Sequence, residues 1–277
     1  MHAAKKAFAP QIECVHRQAI ARCRDGRWTQ EQDLLAVELP VALEFNGISH
    51  AVMLATPCDL ESFALGFALS EGIIAERAEF YGAEVEEGPL GITVHCEIAS
   101  QAFLNLKQRR RNMTGRTGCG LCGVDSLEQV IRTLPALPAG SSVSVLAMRT
   151  ALKELAGLQP LNKVTGGMHA AAWSTPDGKL QQVCEDVGRH NALDKLIGTM
   201  AGRGSDFQNG FLLITSRASV EMVQKAATVG IASLIAISAP TALAVQTAQE
   251  TGMTLVAFAR GESFVVYAHE DKIMGMV

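Results

Sequence analysis

Two thiols three positions apart, Cys119 and Cys122, sit in the segment Gly118-Cys119-Gly120-Leu121-Cys122-Gly123. Glycine puts no bulk beside the sulfurs and lets the backbone bend, which suits thiols that meet another molecule rather than pack in a core. Upstream runs a basic stretch, Lys107, Arg109, Arg110, Arg111 and Arg116, predicted to be a loop. Downstream, Asp125-Ser126-Leu127-Glu128 has the pattern of a helix start, with Asp125 as cap and Glu128 closing a capping box. Cations and a helix N-terminus both favour thiolate over thiol, so at least one of the pair is expected to react near neutral pH. Metal, redox and transfer chemistry all remain open on this pattern. One CxxC is only half of a four-ligand zinc site and the remaining cysteines are single, so no metal site is expected. A thioredoxin-like dithiol is disfavoured because the pair does not open a βαβ unit, and no phosphate-loop or dinucleotide fingerprint is present.

Four further clusters fall where strands should end and helices begin. They are Thr165-Gly166-Gly167-Met168-His169, Glu185-Asp186-Val187-Gly188-Arg189-His190-Asn191, Thr215-Ser216-Arg217-Ala218-Ser219 and Phe258-Ala259-Arg260-Gly261-Glu262-Ser263. Taken singly, Asn191 and Ser219 could just cap helices, the glycine pair could make a turn and His169 could be a bonded core residue. Taken together, Arg189, Arg217 and Arg260 beside helix amides are what a phosphate-bearing ligand requires. Asp186 or Glu185 could accept paired hydrogen bonds from a guanine-type edge, or could bind a neighbouring arginine.

The elements that must carry these clusters are legible in outline. Residues 34–55 read as a hairpin turned at Asn46-Gly47, followed by a helix capped by Asp59 and stopped at Gly72, then a strand over 92–98. After the proline-rich punctuation 134–140, helices are predicted over 145–157, 190–201, 219–230 and 241–251. Strands are predicted over 168–175, 180–186, 210–215, 233–238, 254–259 and 264–268, with a turn at Pro176-Asp177-Gly178. This alternation predicts an α/β fold: a C-terminal three-layer α-β-α sandwich with a mainly parallel sheet over 139–277, and a smaller mixed α+β domain over 1–138 that contains the CxxC.

Composition narrows the function classes. A 277-residue chain with 48% hydrophobic and 19% charged residues can bury a substantial core. A net charge of −4 argues against general nucleic-acid binding. No secretory h-region and no membrane-length apolar run is visible, so a cytoplasmic protein is expected. Its seven cysteines, Cys14, Cys23, Cys58, Cys96, Cys119, Cys122 and Cys184, are odd in number and scattered, which does not suggest a disulfide framework. The apolar helices over 219–251 would suit either a homodimer seam or a core.

The CxxC segment, the Thr165 to His169 segment, Glu185 to Lys195 and Phe258 to Gly261 closely resemble the formate dehydrogenase accessory sulfurtransferase family, FdhD, across about residues 35–268. The resemblance implies sulfur received from a cysteine desulfurase as a cysteine persulfide and passed to the molybdenum cofactor bis(molybdopterin guanine dinucleotide), destined for the formate dehydrogenase catalytic subunit. It places the persulfide on Cys119, with Cys122 as companion, and the cofactor on Phe258, Ala259, Arg260, Gly261, Glu262 and Ser263. Thr165, Gly166, Gly167, His169, Asp186, Arg189, His190, Asn191, Ser216 and Arg217 complete the expected cofactor site, with GDP as a mimic. The C-terminal half of that family resembles the cytidine deaminase fold, whose zinc ligands are mostly missing at the matching helix starts here, His190-Asn191-Ala192 and Ser216-Arg217-Ala218-Ser219. Two rival functions are a cofactor chaperone without sulfur transfer and a dithiol redox protein.

Overall fold

The computed structural model describes residues 14–114, 134, 136–138, 140–205 and 207–275. Val15–Arg24 (β1) and Arg27–Ala36 (β2) form an antiparallel ribbon turned at Asp25-Gly26, whose φ angles are 50° and 77°. An Asp-Gly turn with both residues left-handed matches the twist of the strands it joins. Leu39–Phe45 (β3) and Ile48–Ala55 (β4) are the predicted hairpin, with Asn46-Gly47 at the turn. Leu60–Ser70 (α1) follows. Asp59 stands at its start as predicted, yet its backbone is left-handed (φ 54°) and its side chain makes no capping bond.

Phe80–Gly88 (β5) and Gly91–Ile98 (β6) complete a four-stranded sheet of order β4-β3-β6-β5. Val41, Leu43, Phe45, Val94, Cys96 and Ile98 point inward with the two-residue period of a half-buried sheet. Ser100–Thr114 (α2) corrects the predicted basic loop, because the run from Lys107 to Thr114 is helical. Its straight-chain Lys, Gln and Arg residues are good helix formers. Ala102 and Leu106, one turn apart, are buried, and Lys107 Nζ sits 4.2 Å from the Phe103 ring centre.

The C-terminal part opens with Val143–Ser144 (β7), Val145–Leu155 (α3) and Pro160–Thr165 (α4). Then come His169–Ser174 (β8), Leu180–Asp186 (β9), Arg189–Gly202 (α5), Phe211–Ile214 (β10), Val220–Thr228 (α6) and Ser233–Ala236 (β11). Ala242–Thr251 (α7), Thr254–Arg260 (β12), Ser263–Ala268 (β13) and Ile273–Met274 (β14) finish the order, with β14 pairing β7. The six-stranded sheet runs β13-β12-β11-β10-β8-β9. It is mixed rather than mainly parallel: only β10 with β11 and β11 with β12 are parallel. Short turns after β8 and β12 impose antiparallel neighbours, whereas the parallel pairs need helical crossovers.

Strand alternation sorts the core. Ala171, Trp173, Leu212, Ile214, Leu234 and Leu255 face α5, α6 and α7, whereas Ala172, Phe211, Leu213, Ile235 and Val256 face α3. Helices therefore cover both sheet faces. The apolar stretch 219–251 goes into the core, with Met222, Val223, Ala226, Ala244 and Ala248 all buried. One apolar cluster joins the four-stranded sheet, α1, α5 and the six-stranded sheet, drawing on residues either side of 138.

Its centre is a backbone-to-backbone crossing of α1 and α5. A Cβ on Gly66 would lie 1.7 Å from the Asp194 carbonyl oxygen, and one on Gly198 would lie 1.8 Å from that of Ser62. Beside it, Lys225 Nζ donates to Asp194 Oδ2 at 2.8 Å, to Ser70 Oγ at 2.9 Å and to Glu71 Oε1 at 2.9 Å. Burial alone would push the Lys225 pKa down, but Asp194 and Glu71 outweigh it and raise it; burial raises that of Asp194.

Cys14 and Cys58 form a disulfide with Cα atoms 6.2 Å apart, a spacing suited to a bridge. Scattered cysteines predicted no such link, because nothing in the sequence spacing brings the start of β1 to the loop before α1. Cys96 and Cys184 are buried thiols pushed up by desolvation, Cys96 to about 12, so neither is a reactive thiolate near neutral pH. No helix among the described residues is long and apolar enough to cross a membrane.

Candidate functional site

Strand register gathers the four clusters on one edge of the six-stranded sheet. His169 opens β8 opposite Asp186, the last residue of β9, and Ile214 at the end of β10 pairs Ala171 of β8 and Ala236 of β11. The loop beyond β12 joins the same edge, since Arg260 Nε donates to the carbonyl of Ile237 at 3.1 Å, just past β11. Helices α5, α6 and α7 begin there, so first-turn amides that lack an intrahelical partner lie along this edge, with Ala244 N of α7 capped by Thr241 Oγ1 at 3.2 Å.

The predicted residues divide by their commitments. Asp186 is fully buried: Oδ1 accepts from Gly188 N at 2.8 Å and Asn191 Nδ2 at 2.9 Å, while Oδ2 accepts from Thr56 N at 3.0 Å and pairs with Lys195 Nζ at 2.7 Å. Four partners use the acceptor capacity of a carboxylate, so Asp186 holds the loop. Lys195 Nζ also donates to the Thr56 carbonyl at 2.8 Å, and Asn191 Nδ2 to that of Leu54 at 2.8 Å. Asn191 thereby clamps β4 to α5 rather than capping a helix; the residue at the cap is Gly188. Glu185 accepts from Leu161 N at 2.9 Å and Asn162 N at 2.7 Å, which fixes the start of α4. Gly166, at φ 68°, ends α4 in the left-handed turn that glycine adopts without strain, and Gly167 N donates to Thr165 Oγ1 at 3.3 Å.

The remaining predicted residues are less tied down. His169 is held below the usual imidazole range by burial and by Arg189. His190 is lowered by the same causes, and its Nε2 lies 3.2 Å from Glu221 Oε2. Both imidazoles are therefore neutral at pH 7 and serve as hydrogen-bonding groups. Arg189 approaches Glu221 at 3.9 Å, and its buried Nε has no hydrogen-bond partner. Ser216 is buried and its hydroxyl turns back to the Arg217 carbonyl, while the Arg217 side chain is exposed. Ser219 occupies the α6 cap position but donates to Glu221 Oε2 at 2.9 Å instead of capping.

At β12 a bulge places Phe258 in left-handed backbone, φ 52°, and leaves the residue 42% exposed. A bulky residue rarely adopts that conformation, which aims the ring outward next to Arg260. Ala259 packs into the core, Gly261 makes the turn, Ser263 is exposed opposite Arg260, and Glu262 pairs with Arg149 at 3.1 Å. The result is an edge with guanidinium groups, helix amides, neutral imidazoles and one exposed aromatic. Such an edge can hold phosphate oxygens and stack a planar base.

Cys119 and Cys122 lie outside the described residues. The four described cysteines other than Cys23 are buried or bridged and cannot substitute for them. Thr56, Lys195, Glu221 and Arg149 were not expected at the site. Thr56 meets Asp186 across 130 positions of sequence, a contact with no local signal. Among the described residues no group of three or more His, Cys, Asp or Glu side chains could hold a metal ion.

Fold and edge together define a mixed α/β protein that gathers guanidinium groups and helix N-termini at the carboxyl ends of its parallel strands. The chain belongs to the FdhD/NarQ family, whose model matches residues 36–274. It is 54% identical over 88% of its length to the sulfur carrier protein FdhD of Variovorax paradoxus, covering 88% of that protein. It is 51% identical over 92% of its length to the corresponding protein of Cupriavidus necator, again covering 88% of the relative. A crystal structure of a protein from Desulfotalea psychrophila, described as a formate dehydrogenase accessory protein, shares the fold with a TM-score of 0.73 at 23% identity, over 95% of this chain and all of that one.

Proposed function

We propose that this protein is a sulfur carrier for formate dehydrogenase maturation, using Cys119 to take sulfur from a cysteine desulfurase and the sheet edge to hold the molybdenum cofactor bis(molybdopterin guanine dinucleotide) as its client. Two supports meet here: relatives named sulfur carriers at about half identity along nearly the whole chain, and an edge with an exposed Arg217, Arg260 and an outward Phe258. The observation that carries the client assignment is the convergence of Arg189, Arg217, Arg260 and three helix starts on one edge. On this reading the edge is a cytidine-deaminase-like site with guanidinium groups in place of zinc ligands.

In the transfer, the Cys119 thiolate attacks the outer sulfur of the donor persulfide. A Cys119–sulfur bond forms, the donor's S–S bond breaks, and the donor leaves as a thiolate. Delivery uses the second thiol: Cys122 thiolate attacks Cys119 Sγ, the outer sulfur departs toward the client as hydrosulfide, and a Cys119–Cys122 disulfide remains for an external dithiol to reduce. The two thiols supply the electrons. At the edge, Arg217 and Arg260 bind phosphate oxygens while Phe258 stacks against guanine. Asp186, Lys195 and Asn191 keep the α5 start in place.

The test is complementation of a strain lacking its own copy of the gene. Cys119→Ala should lose formate dehydrogenase activity while the variant accumulates as folded protein. Retained activity would leave only the chaperone reading.

A further inference from the structure

Thr56 is fully buried and ties the segment before α1 to two of the clusters at the edge of the six-stranded sheet. Its amide donates to Asp186 Oδ2 at 3.0 Å, its hydroxyl accepts from Val187 N at 3.3 Å and lies 4.0 Å from Met168 Sδ, and its carbonyl accepts from Lys195 Nζ at 2.8 Å. Cys58 N donates to the same carbonyl at 2.8 Å. The half of the Cys14–Cys58 bridge that belongs to Cys58 is therefore one hydrogen bond away from the loop that starts α5. Asp59, the next residue, is held in left-handed backbone (φ 54°) with no capping bond, a conformation that side chains seldom adopt.

The other half of the bridge reaches the same loop by a second route. Cys14 stands at the base of the β1–β2 ribbon, where Val37 N donates to its carbonyl at 3.0 Å. Strand β2 packs against α4, and the start of α4 is fixed by Glu185, the neighbour of Asp186. Ribbon, α4, Glu185-Asp186, Thr56 and Cys58 thus form a closed ring, and the bridge is its one sulfur–sulfur link. That link is within reach of solutes. Both cysteines are only half-buried, and Cys58 lines an open cavity of about 710 Å³ along β9, shared with Asp59, Leu161 and Glu185.

We infer that the Cys14–Cys58 bridge is a redox switch for the ligand edge: closed, it holds the α5 start in its binding geometry, and opened by a dithiol, it lets that start loosen. A thiolate of the dithiol attacks Cys58 Sγ, the Cys14–Cys58 bond breaks, and Cys14 leaves as a thiolate that takes up a proton. The second thiol of the dithiol then displaces Cys58, so two electrons pass to the bridge and the dithiol departs as a disulfide. Exchange with a small disulfide such as oxidised glutathione reverses the sequence. The consequence for binding rests on the proposed client site, whereas the coupling of bridge to α5 does not.

Hydrogen exchange by mass spectrometry and GDP calorimetry on the full chain, oxidised and after millimolar dithiothreitol, test the two parts. On reduction Cys14 and Cys58 should become alkylatable, and amides of residues 186–196 should exchange about tenfold faster while those of β10 and β11 stay unchanged. GDP should bind about fivefold more weakly, and by reciprocity saturating GDP should lower the potential of the bridge by about 20 mV. Cys14→Ser with Cys58→Ser should match the reduced protein without reductant and ignore dithiothreitol, which separates this bridge from Cys119 and Cys122; far-ultraviolet circular dichroism checks its fold. A bridge that dithiothreitol leaves intact in the folded protein, or exchange over 186–196 that is the same in both states, would overturn the inference. If exchange responds but GDP binds neither form, the coupling stands and the client reading fails.

Discussion

The seam between α1, α5 and α6 and the carboxyl edge of the six-stranded sheet are built on opposite plans. At the seam every polar group has a partner: Lys225 meets Asp194, Ser70 and Glu71, and the Gly66 and Gly198 backbones touch. At the edge, Arg217 and Phe258 project into solvent and the buried Nε of Arg189 has no hydrogen-bond partner. The seam is made for stability, whereas the edge leaves groups uncommitted to the protein itself, as the proposed client site requires. Between them stands the Asp186–Lys195 pair, fully satisfied and positioned to transmit the rigidity of the seam to the start of α5.

This contrast makes predictions that grade by size. Lys225→Met leaves Asp194 buried without its counter-ion and should cost about 3–5 kcal/mol in urea unfolding, as loss of one partner of a buried pair does. A Lys225→Met, Asp194→Leu double variant should recover part of that loss. Gly66→Ala should cost about 3 kcal/mol, the upper end for overpacking, because its Cβ would strike the Asp194 carbonyl. Neither figure would apply if α1 and α5 separated easily.

At the edge the same-sized changes should leave stability within about 0.5 kcal/mol and alter binding instead. Arg217→Ala and Arg260→Ala are each expected to weaken GDP binding about tenfold by calorimetry, the loss of one charged hydrogen-bonding group. A destabilised fold with unchanged GDP affinity would reverse the comparison.

The smallest effect concerns pH. His169 and His190 have folded pKa values held below the ordinary range by burial and by Arg189, so protonation favours the unfolded chain. Their contribution is complete above the unfolded value near about 6.5 and is lost as pH falls through the lower folded values. His95 works the other way: hydrogen bonds that its ring donates to Glu86 and Glu44 raise it, so its contribution is present at low pH and fades as pH rises through the raised value. The melting temperature of wild type should therefore drop more between pH 7 and 5.5 than that of His169→Gln.

Local pattern made much of this architecture legible. Amphipathic spacing located α3, α5, α6 and α7, and strand alternation located the six strands of the large sheet, to within a few residues. The Asp25-Gly26 turn signal was present in the sequence, but the ribbon around it is polar and lacks the apolar alternation that marks a core strand. Strand direction was misjudged because helix and strand order alone does not say which neighbours a short turn will force antiparallel. At the site, the motif positions were visible, yet their division of labour was not. Asp186 and Asn191 resemble ligand-facing residues in sequence and are occupied by Thr56, Lys195 and Leu54, contacts that exist only after the chain has folded.

The central claim is that sulfur travels on Cys119, and intact-mass spectrometry reads it most directly. After incubation with a cysteine desulfurase and cysteine, the protein should gain about 32 Da, the mass of one sulfur, located by peptide mapping on Cys119 and absent from Cys119→Ala. A protein that forms only a reversible Cys119–Cys122 disulfide, with no added sulfur, would contradict the account.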